Sequence, residues 1–214
     1  MKRLIVLTWA ITSCLSAIAQ VDFTEEVAEV VRRNDSIWNP KIETVVFTGS
    51  SSIRLWEDLE ECFPNHQVLN TGFGGSETSD LLLHLDDLVL RYKPNKVFIY
   101  EGDNDISLGK TPRMVIMTAQ EVIESIIKAQ PKTEIVLISA KPSITRWDLK
   151  GKYRRLNKRL SKLADDYDYV KFVNVWDIML EGRNLRTDIF IEDGLHLNAK
   201  GYELWYEQLK PFVR

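Results

Sequence analysis

Cysteine is almost absent from this chain, which has two cysteines, Cys14 and Cys62, among 214 residues. Two cysteines cannot build the disulfide framework that stabilises many small secreted domains, so the fold has to rest on a packed core. The composition can supply that core, because 44% of the residues are hydrophobic. No cluster of basic residues surrounds Cys62 in the sequence, which indicates a buried structural thiol and not a nucleophile.

The sequence also lacks an excess of basic residues, since 28 Lys and Arg stand against 31 Asp and Glu, for a net charge of −3. Domains that bind nucleic acid usually carry a basic face, so we expect no nucleic-acid partner. Histidine is scarce as well. The three histidines, His66, His84 and His196, lie far apart and match no metal-ligand spacing, so we expect no metal and no other cofactor.

A long hydrophobic run is missing too. The longest uncharged stretch, Leu4–Val21, is short for a bilayer and is diluted by Thr, Ser and Gln. It follows two basic residues and ends in small ones, so we interpret residues 1–19 as a signal peptide cleaved after Ala19. A membrane anchor, or a lipoprotein signal processed at Cys14, fits less well. Residues 20–214 are then one domain, secreted or periplasmic, without a stable membrane span.

Short β-rich apolar runs alternate with longer segments of helical periodicity along the rest of the chain. This pattern is typical of a parallel sheet covered on both faces, so we predict a three-layer α/β/α sandwich with a five-stranded parallel sheet. The predicted strands are Thr44–Thr48, Gln67–Asn70, Lys96–Glu101, Glu134–Ala140 and Val170–Val175.

The clearest predicted helix begins at Thr111-Pro112, which offers a cap and a first-turn proline, and it ends before Pro131. Its apolar residues recur at helical spacing. Further helices are predicted near Val27, over Leu81–Tyr92, Trp147–Asp166 and Asn198–Leu209.

Ligands of such sheets bind beyond the carboxyl ends of the strands. There the loop Gly49–Ser52 turns from the first strand into a helix and exposes a serine near free backbone N–H groups. Serines in this position are often simple helix caps. Late in the chain, however, Asp193 precedes His196 by three residues, and a nucleophilic serine needs an imidazole base that a carboxylate orients.

Three more loops lie at the same edge of the predicted sheet. Gly74-Gly75 follows the second strand and Asn104 follows the third, where a backbone N–H and a carboxamide could point at one oxyanion. Taken singly, they are ordinary turn residues. Together with the serine and the histidine they complete an acyl-transfer site. The loop Lys141–Arg146 follows the fourth strand, without an assigned role.

Four segments resemble, in order and placement, the successive blocks of the SGNH (GDSL-like) hydrolases, and they look closest to the platelet-activating-factor acetylhydrolase-like branch. The resemblance covers nearly the whole chain after residue 20, and it implies the flavodoxin-like fold of that family. The family has an aspartate just before the nucleophile, where this chain has Ser50. The four segments are Phe47–Ser51, Asn70–Gly75, Gly102–Asp105 and Asp193–His196.

The resemblance also implies the role of each site residue. Ser51 is the nucleophile, His196 is its base and Asp193 supports the base. The resemblance also implies an oxyanion hole. Its donors are the backbone N–H of Ser51, the backbone N–H of Gly75 (with Gly74 as the alternative) and the side-chain amide of Asn104.

The function implied is a serine esterase that hydrolyses carboxylic esters. Modest size and no obvious lid insertion favour a small acyl group such as acetyl, on a small-molecule or carbohydrate alcohol. Lysophospholipid or thioester cleavage is the alternative within the same fold. An α/β-hydrolase elbow fits worse, because it needs a glycine where this chain has Ile53.

Two non-hydrolytic alternatives also fit part of the pattern. A flavodoxin-like binder would hold a flavin phosphate on Thr48–Ser52, but it leaves the late aspartate and histidine without a role. A carbohydrate-binding domain would stack sugars on Trp56, Phe73 and Trp147, aromatic residues whose default role is core or rim packing.

Overall fold

The five predicted strands form one parallel sheet in the computed structural model, which describes residues 22–213. The predicted leader and Cys14 lie outside the described residues and stay predictions. The strand order is β2-β1-β3-β4-β5, and every neighbouring pair is parallel, which confirms the predicted fold class. The strands are β1 (Thr44–Gly49), β2 (Gln67–Gly72), β3 (Lys96–Tyr100), β4 (Glu134–Ile138) and β5 (Val170–Val173).

Helices connect the strands and cover both faces of the sheet. Within the described part of the chain, none is long and apolar enough to cross a membrane. A small hairpin of β6 (Leu180–Glu181) and β7 (Asn184–Leu185) precedes the last helix. The helices are α1 (Thr24–Ile37), α2 (Ser51–Arg54), α3 (Leu59–Cys62), α4 (Thr78–Leu83), α5 (Leu85–Leu88), α6 (Asp103–Ser107), α7 (Pro112–Ala129), α8 (Lys150–Asp165) and α9 (Ala199–Val213).

Alternation along the strands divides the core into two parts. Val46 and Val97, paired across β1 and β3, enter the core that α1, α4, α5, α7 and α8 close. Phe47 and Phe98, the next pair, enter the core that α2, α3 and α9 close, and their rings stack with centroids 4.2 Å apart. Because successive side chains of a strand point to opposite faces, this alternation produces the three layers.

The helix predicted from Thr111 to Pro131 is confirmed. The Thr111 side chain caps the backbone N–H of Met114 at 3.3 Å, Pro112 occupies the first turn, and α7 ends two residues before Pro131. Proline has no N–H to lose at that first turn, and its fixed φ suits a helix start.

The prediction of one helix over Leu81–Tyr92 is wrong. This segment is broken into α4, α5 and a 3₁₀ turn, and the first break lies at His84. There the backbone leaves the helical region, and the His84 ring packs edge-on against Phe73 with centroids 6.2 Å apart. The segment ends at Lys93, whose φ of +47° is left-handed, just before Pro94.

Two expectations about single side chains need correction. Cys62 is half-buried at the end of α3 and not fully buried, because it packs at the margin of the second core. Partial burial still raises the pKa of its thiol. Trp56 and Phe73 are completely enclosed by the core, so neither can stack on a sugar, whereas Trp147 is half-buried and stacks on Trp176.

Candidate active site

A sharp turn at the end of β1 presents Ser51 at the start of α2. Gly49 has a φ of +124°, and a Cβ added there would lie 2.0 Å from the carbonyl oxygen of Tyr100, so only glycine fits. Ser50 then runs extended and donates its N–H to the same Tyr100 oxygen at 3.1 Å. Ser50 and Ser52 are both buried, and Ser51, between them, is partly exposed.

The segment from Asp193 to His196 forms a turn that its own aspartate stabilises. Gly194 has a φ of +63°, and the Asp193 Oδ1 accepts hydrogen bonds from the N–H groups of Leu195 at 2.8 Å and His196 at 2.9 Å. Because a turn folds these residues together, the three-residue spacing brings the carboxylate to the imidazole. The sequence predicted this contact from the spacing alone.

The structure brings the predicted nucleophile, base and carboxylate into one hydrogen-bonded chain. His196 Nε2 lies 2.9 Å from Ser51 Oγ, and His196 Nδ1 lies 2.5 Å from Asp193 Oδ2. Burial opposes ionisation of Asp193, but hydrogen bonds from the His196 and Leu195 N–H groups and from the imidazole outweigh it and lower its pKa to about 2. The carboxylate is therefore charged at neutral pH, where it favours the tautomer with a proton on Nδ1.

The other two histidines do not reach this site. His66 is exposed, and His84 packs against Phe73. Within residues 22–213, no group of three or more His, Cys, Asp or Glu side chains is arranged to hold a metal ion.

The two glycines after β2 differ in what their N–H groups do. Gly74 donates its N–H to Glu26 Oε1 of α1 at 2.7 Å. Gly75 has a φ of +74°, and its N–H has no acceptor among the described residues. Space next to Gly75 is open, since a Cβ added there would touch nothing within 4 Å. Of these two glycines, Gly75 is therefore the one whose N–H a ligand can use.

Asn104 lies in the first turn of α6, which begins where β3 ends. Its Nδ2 donates to the carbonyl oxygen of Ser76 at 2.8 Å, and its Oδ1 accepts from Arg146 Nη2 at 3.0 Å. A side-chain amide has two N–H groups, so one remains beyond the bond to Ser76. The strands that precede Ser51, Gly75 and Asn104 are neighbours in the sheet, so all three lie at the same sheet edge.

The sequence did not predict three residues at this end of the sheet as contributors to the site. Glu26 comes from the helix that was predicted near Val27 without a role in the site. Lys141 and Arg146 come from the loop after β4, where both side chains bond to Asp103. A lysine directly after a buried strand was the one signal available, and it is weak because lysines in loops are mostly exposed.

Comparisons with known proteins identify the family of the chain. The model of the GDSL-like Lipase/Acylhydrolase family matches residues 42–204, most of the chain. A human isoamyl acetate-hydrolyzing esterase 1 homolog is 26% identical in an alignment of 170 residues, and the match covers 68% of this chain and 68% of that protein. The Escherichia coli N-acylneuraminate cytidylyltransferase is 23% identical over 176 residues, 81% of this chain, and this match spans only 41% of that enzyme.

The fold also resembles that of a solved structure. The structure of a platelet activating factor protein from Streptococcus pneumonia superimposes with a TM-score of 0.79 and 25% identity, covering 89% of this chain and 92% of that one. The flavin-binding and carbohydrate-binding alternatives are not supported by these similarities. The chain belongs to the GDSL-like lipase/acylhydrolase family, and it is a carboxylic ester hydrolase.

Proposed function

We propose that the protein hydrolyses carboxylic esters through an acyl-enzyme, with Ser51 as nucleophile, His196 as general base and Asp193 as the group that orients the base. The observation that carries this proposal is the chain of two hydrogen bonds, 2.9 Å from Ser51 Oγ to His196 Nε2 and 2.5 Å from His196 Nδ1 to Asp193 Oδ2. Such an arrangement is what an alcohol side chain needs to attack an ester at neutral pH.

In the first half-reaction, Ser51 Oγ attacks the ester carbonyl carbon while His196 Nε2 takes the hydroxyl proton. The tetrahedral intermediate collapses, and the same proton passes from His196 to the leaving alcohol. In the second half-reaction, water replaces the alcohol, so that the acid leaves and Ser51 is regenerated. Asp193 stays ionised throughout and stabilises the imidazolium that forms twice in the cycle.

The negative oxygen of each tetrahedral intermediate needs fixed donors. We assign this role to the N–H of Ser51, the N–H of Gly75 and the remaining Nδ2 hydrogen of Asn104. Ser51 is the first residue of α2, where backbone N–H groups have no partner within the helix. Gly75 is preferred to Gly74 because Glu26 already occupies the Gly74 N–H.

For the substrate we propose a short acyl group, acetyl in the first place, on a small-molecule or carbohydrate alcohol. The human relative, named for the hydrolysis of isoamyl acetate, supports a short acyl group. The space beside the Gly75 N–H is open, since a Cβ added there would touch nothing within 4 Å. A small acyl group can be held there without an enclosing apolar channel.

A series of p-nitrophenyl esters from acetate to palmitate tests the choice of acyl group. We expect kcat/KM to be highest for acetate or the next shortest esters and to fall as the chain lengthens. Ser51→Ala, assayed in parallel, corrects for spontaneous hydrolysis. A kcat/KM that increases steadily up to palmitate would contradict the short-chain proposal and favour lysophospholipid cleavage.

A further inference from the structure

The loop after β4, Lys141–Arg146, packs between the loop that carries the proposed base and the loop that carries Asn104. Its backbone contacts the base loop directly: the N–H of Ile144 donates to the carbonyl oxygen of Gly194 at 2.8 Å. The N–H of Thr145 donates to the same oxygen at 3.2 Å. The loop therefore contacts the turn that joins Asp193 to His196.

Lys141 adds a charged contact to this turn. Its side chain is completely buried, and Nζ donates to the carbonyl oxygen of Leu195 at 2.7 Å. Leu195 is the residue directly before His196. A buried ammonium group is costly unless it is paired, and here Nζ also lies 3.3 Å from Asp103 Oδ2. A lysine enclosed in this way holds one position, and it fixes the carbonyl next to the base.

Arg146 makes the corresponding contact on the other side of the site. Its Nη1 donates to Asp103 Oδ1 at 2.7 Å, and its Nη2 donates to Asn104 Oδ1 at 3.0 Å. A carboxamide can rotate to exchange its oxygen and its nitrogen, and only the nitrogen can stabilise an oxyanion. The guanidinium holds the Asn104 oxygen away from that position, while Ser76 holds one of the amide hydrogens.

Asp103 connects the two cations. It is 4% exposed, and its carboxylate also accepts a hydrogen bond from the Tyr100 hydroxyl at 3.0 Å. Burial alone would raise its pKa, but Lys141 and Arg146 outweigh burial and lower it, so Asp103 is ionised. One buried carboxylate thus anchors both Lys141, which contacts the turn before His196, and Arg146, which contacts Asn104.

We propose that Lys141 and Arg146, both anchored on Asp103, are positioning residues of the hydrolase. Lys141 fixes the turn that presents His196 to Ser51, and Arg146 fixes the orientation of the Asn104 amide toward the oxyanion. This inference rests on the proposed function, because the two cations act through His196 and Asn104 in their proposed roles. Neither cation is assigned a contact with substrate. The competing explanation is that the buried charges stabilise the fold alone.

Lys141→Met separates positioning from stability, and Lys96→Met is its matched control. Lys96, at the amino end of β3, is also a buried lysine whose Nζ donates to a carbonyl, that of Phe212, and lies 3.3 Å from a carboxylate, Glu134 Oε1. Each variant is measured for melting temperature, for kcat and KM on p-nitrophenyl acetate, and for the rate of labelling by a fluorophosphonate.

We expect both lysine variants to melt at a lower temperature. Lys141→Met should lose roughly 100-fold in kcat and in labelling rate with KM little changed, the loss that a displacement of about 1 Å can cause. Lys96→Met should keep its kcat. Equal losses of kcat in the two folded variants would overturn the positioning role of Lys141, and so would no loss in either.

Arg146→Lys supplies a second test that does not depend on removing a fully buried group. The lysine keeps a positive charge for Asp103 but cannot reach both partners in the planar geometry of arginine. We expect kcat to fall roughly 10-fold in the wild-type background and to be unchanged in the Asn104→Ala background, since the two residues act as a unit. Additive losses in this double-mutant cycle would overturn the role of Arg146.

Ser51→Ala distinguishes failure of this inference from failure of the proposed function. If Ser51→Ala is inactive while Lys141→Met and Arg146→Lys are fully active, the positioning roles are wrong and the nucleophile stands. If Ser51→Ala keeps wild-type activity, the proposed function fails, and the positioning roles fail with it.

Discussion

Polar groups lie at both ends of the five-stranded sheet, and they have different partners at the two ends. At the amino end, Gln67 Nε2 donates to Thr44 Oγ1 at 2.7 Å and Asn95 Oδ1 accepts from the Thr44 N–H at 3.1 Å. At the carboxyl end, the Ser51 hydroxyl meets an imidazole, and the Gly75 N–H has no acceptor in the described part of the chain.

The comparison shows how one sheet separates stability from function. At the amino end, the hydrogen bonds join neighbouring segments of the chain to each other, so their main effect is on the stability of the fold. At the carboxyl end, buried Asp103 binds Lys141 and Arg146, and these contact the turn before His196 and the side chain of Asn104. Substitutions at the two ends should therefore affect different measurements, and the predictions that follow run from the largest expected effect on activity to the smallest.

Ser51→Ala should produce the largest loss, a fall in kcat by a factor of roughly 10⁴ or more, because the attacking oxygen is gone. The melting temperature should hardly change, since Ser51 is partly exposed at a helix start. Ser50→Ala and Ser52→Ala, assayed with the same ester, are the controls and should keep most of the activity. Equal loss in all three variants would indicate collapse of the turn and not loss of one nucleophile.

Asp193→Asn should cost on the order of 10³-fold in kcat, because the neutral amide no longer fixes the tautomer of His196 or stabilises the imidazolium. The N–H groups of Leu195 and His196, which donate to Asp193 Oδ1, can still donate to the amide oxygen of asparagine, so the turn should persist. Steady-state kinetics on p-nitrophenyl acetate and a melting curve check both expectations. Wild-type kcat in this variant would rule out a catalytic part for the carboxylate.

The pH dependence sharpens the same assignment. Serine attack needs a neutral imidazole base, so kcat/KM should increase with pH in a single step. Asp193 has a pKa of about 2, below its ordinary value, so it is already ionised above about pH 3 and adds no second step to the profile. Asp193→Asn should lower kcat/KM by a similar factor at every pH from about 4 upward, because the wild-type carboxylate is ionised throughout that range. A loss confined to part of that range would contradict an ionised Asp193.

Asn104→Ala should reduce kcat roughly 100- to 1000-fold, the usual cost of removing one oxyanion donor. The effect should fall on kcat with little change in KM, because the oxyanion forms only after binding. Asn104 also bonds to Ser76 and Arg146, so the melting temperature has to be measured in parallel. A change in KM alone would show that Asn104 binds substrate and does not stabilise the oxyanion.

Thr44→Val should leave activity unchanged and reduce stability only. Valine keeps the shape of threonine but lacks the oxygen that accepts hydrogen bonds from Gln67 Nε2 and Trp38 Nε1. We expect the free energy of unfolding to fall by about 1 kcal/mol. That corresponds to a decrease of about 2 to 4 °C in melting temperature for a domain of this size. A drop in kcat here would show that the two ends of the sheet are not separate.

The sequence predicted the five strands because each is a short apolar run, and it predicted the residues around the serine because each follows a strand or forms a tight turn. It failed where contacts join distant segments and no recognisable motif marks the residues involved. Lys141 and Leu195 are 54 residues apart, and Arg146 and Asn104 are 42 apart, so no local pattern links them. The break at His84 was missed for the same reason, since the ring packs against Phe73 of another loop.

Labelling with a fluorophosphonate, followed by peptide mass spectrometry, tests the central claim most directly. The reagent forms a covalent bond only with a serine that a nearby base activates. The account predicts one adduct, on Ser51, which disappears in Ser51→Ala and forms much more slowly in His196→Ala. An adduct on any other residue, or labelling at the wild-type rate in His196→Ala, would contradict it.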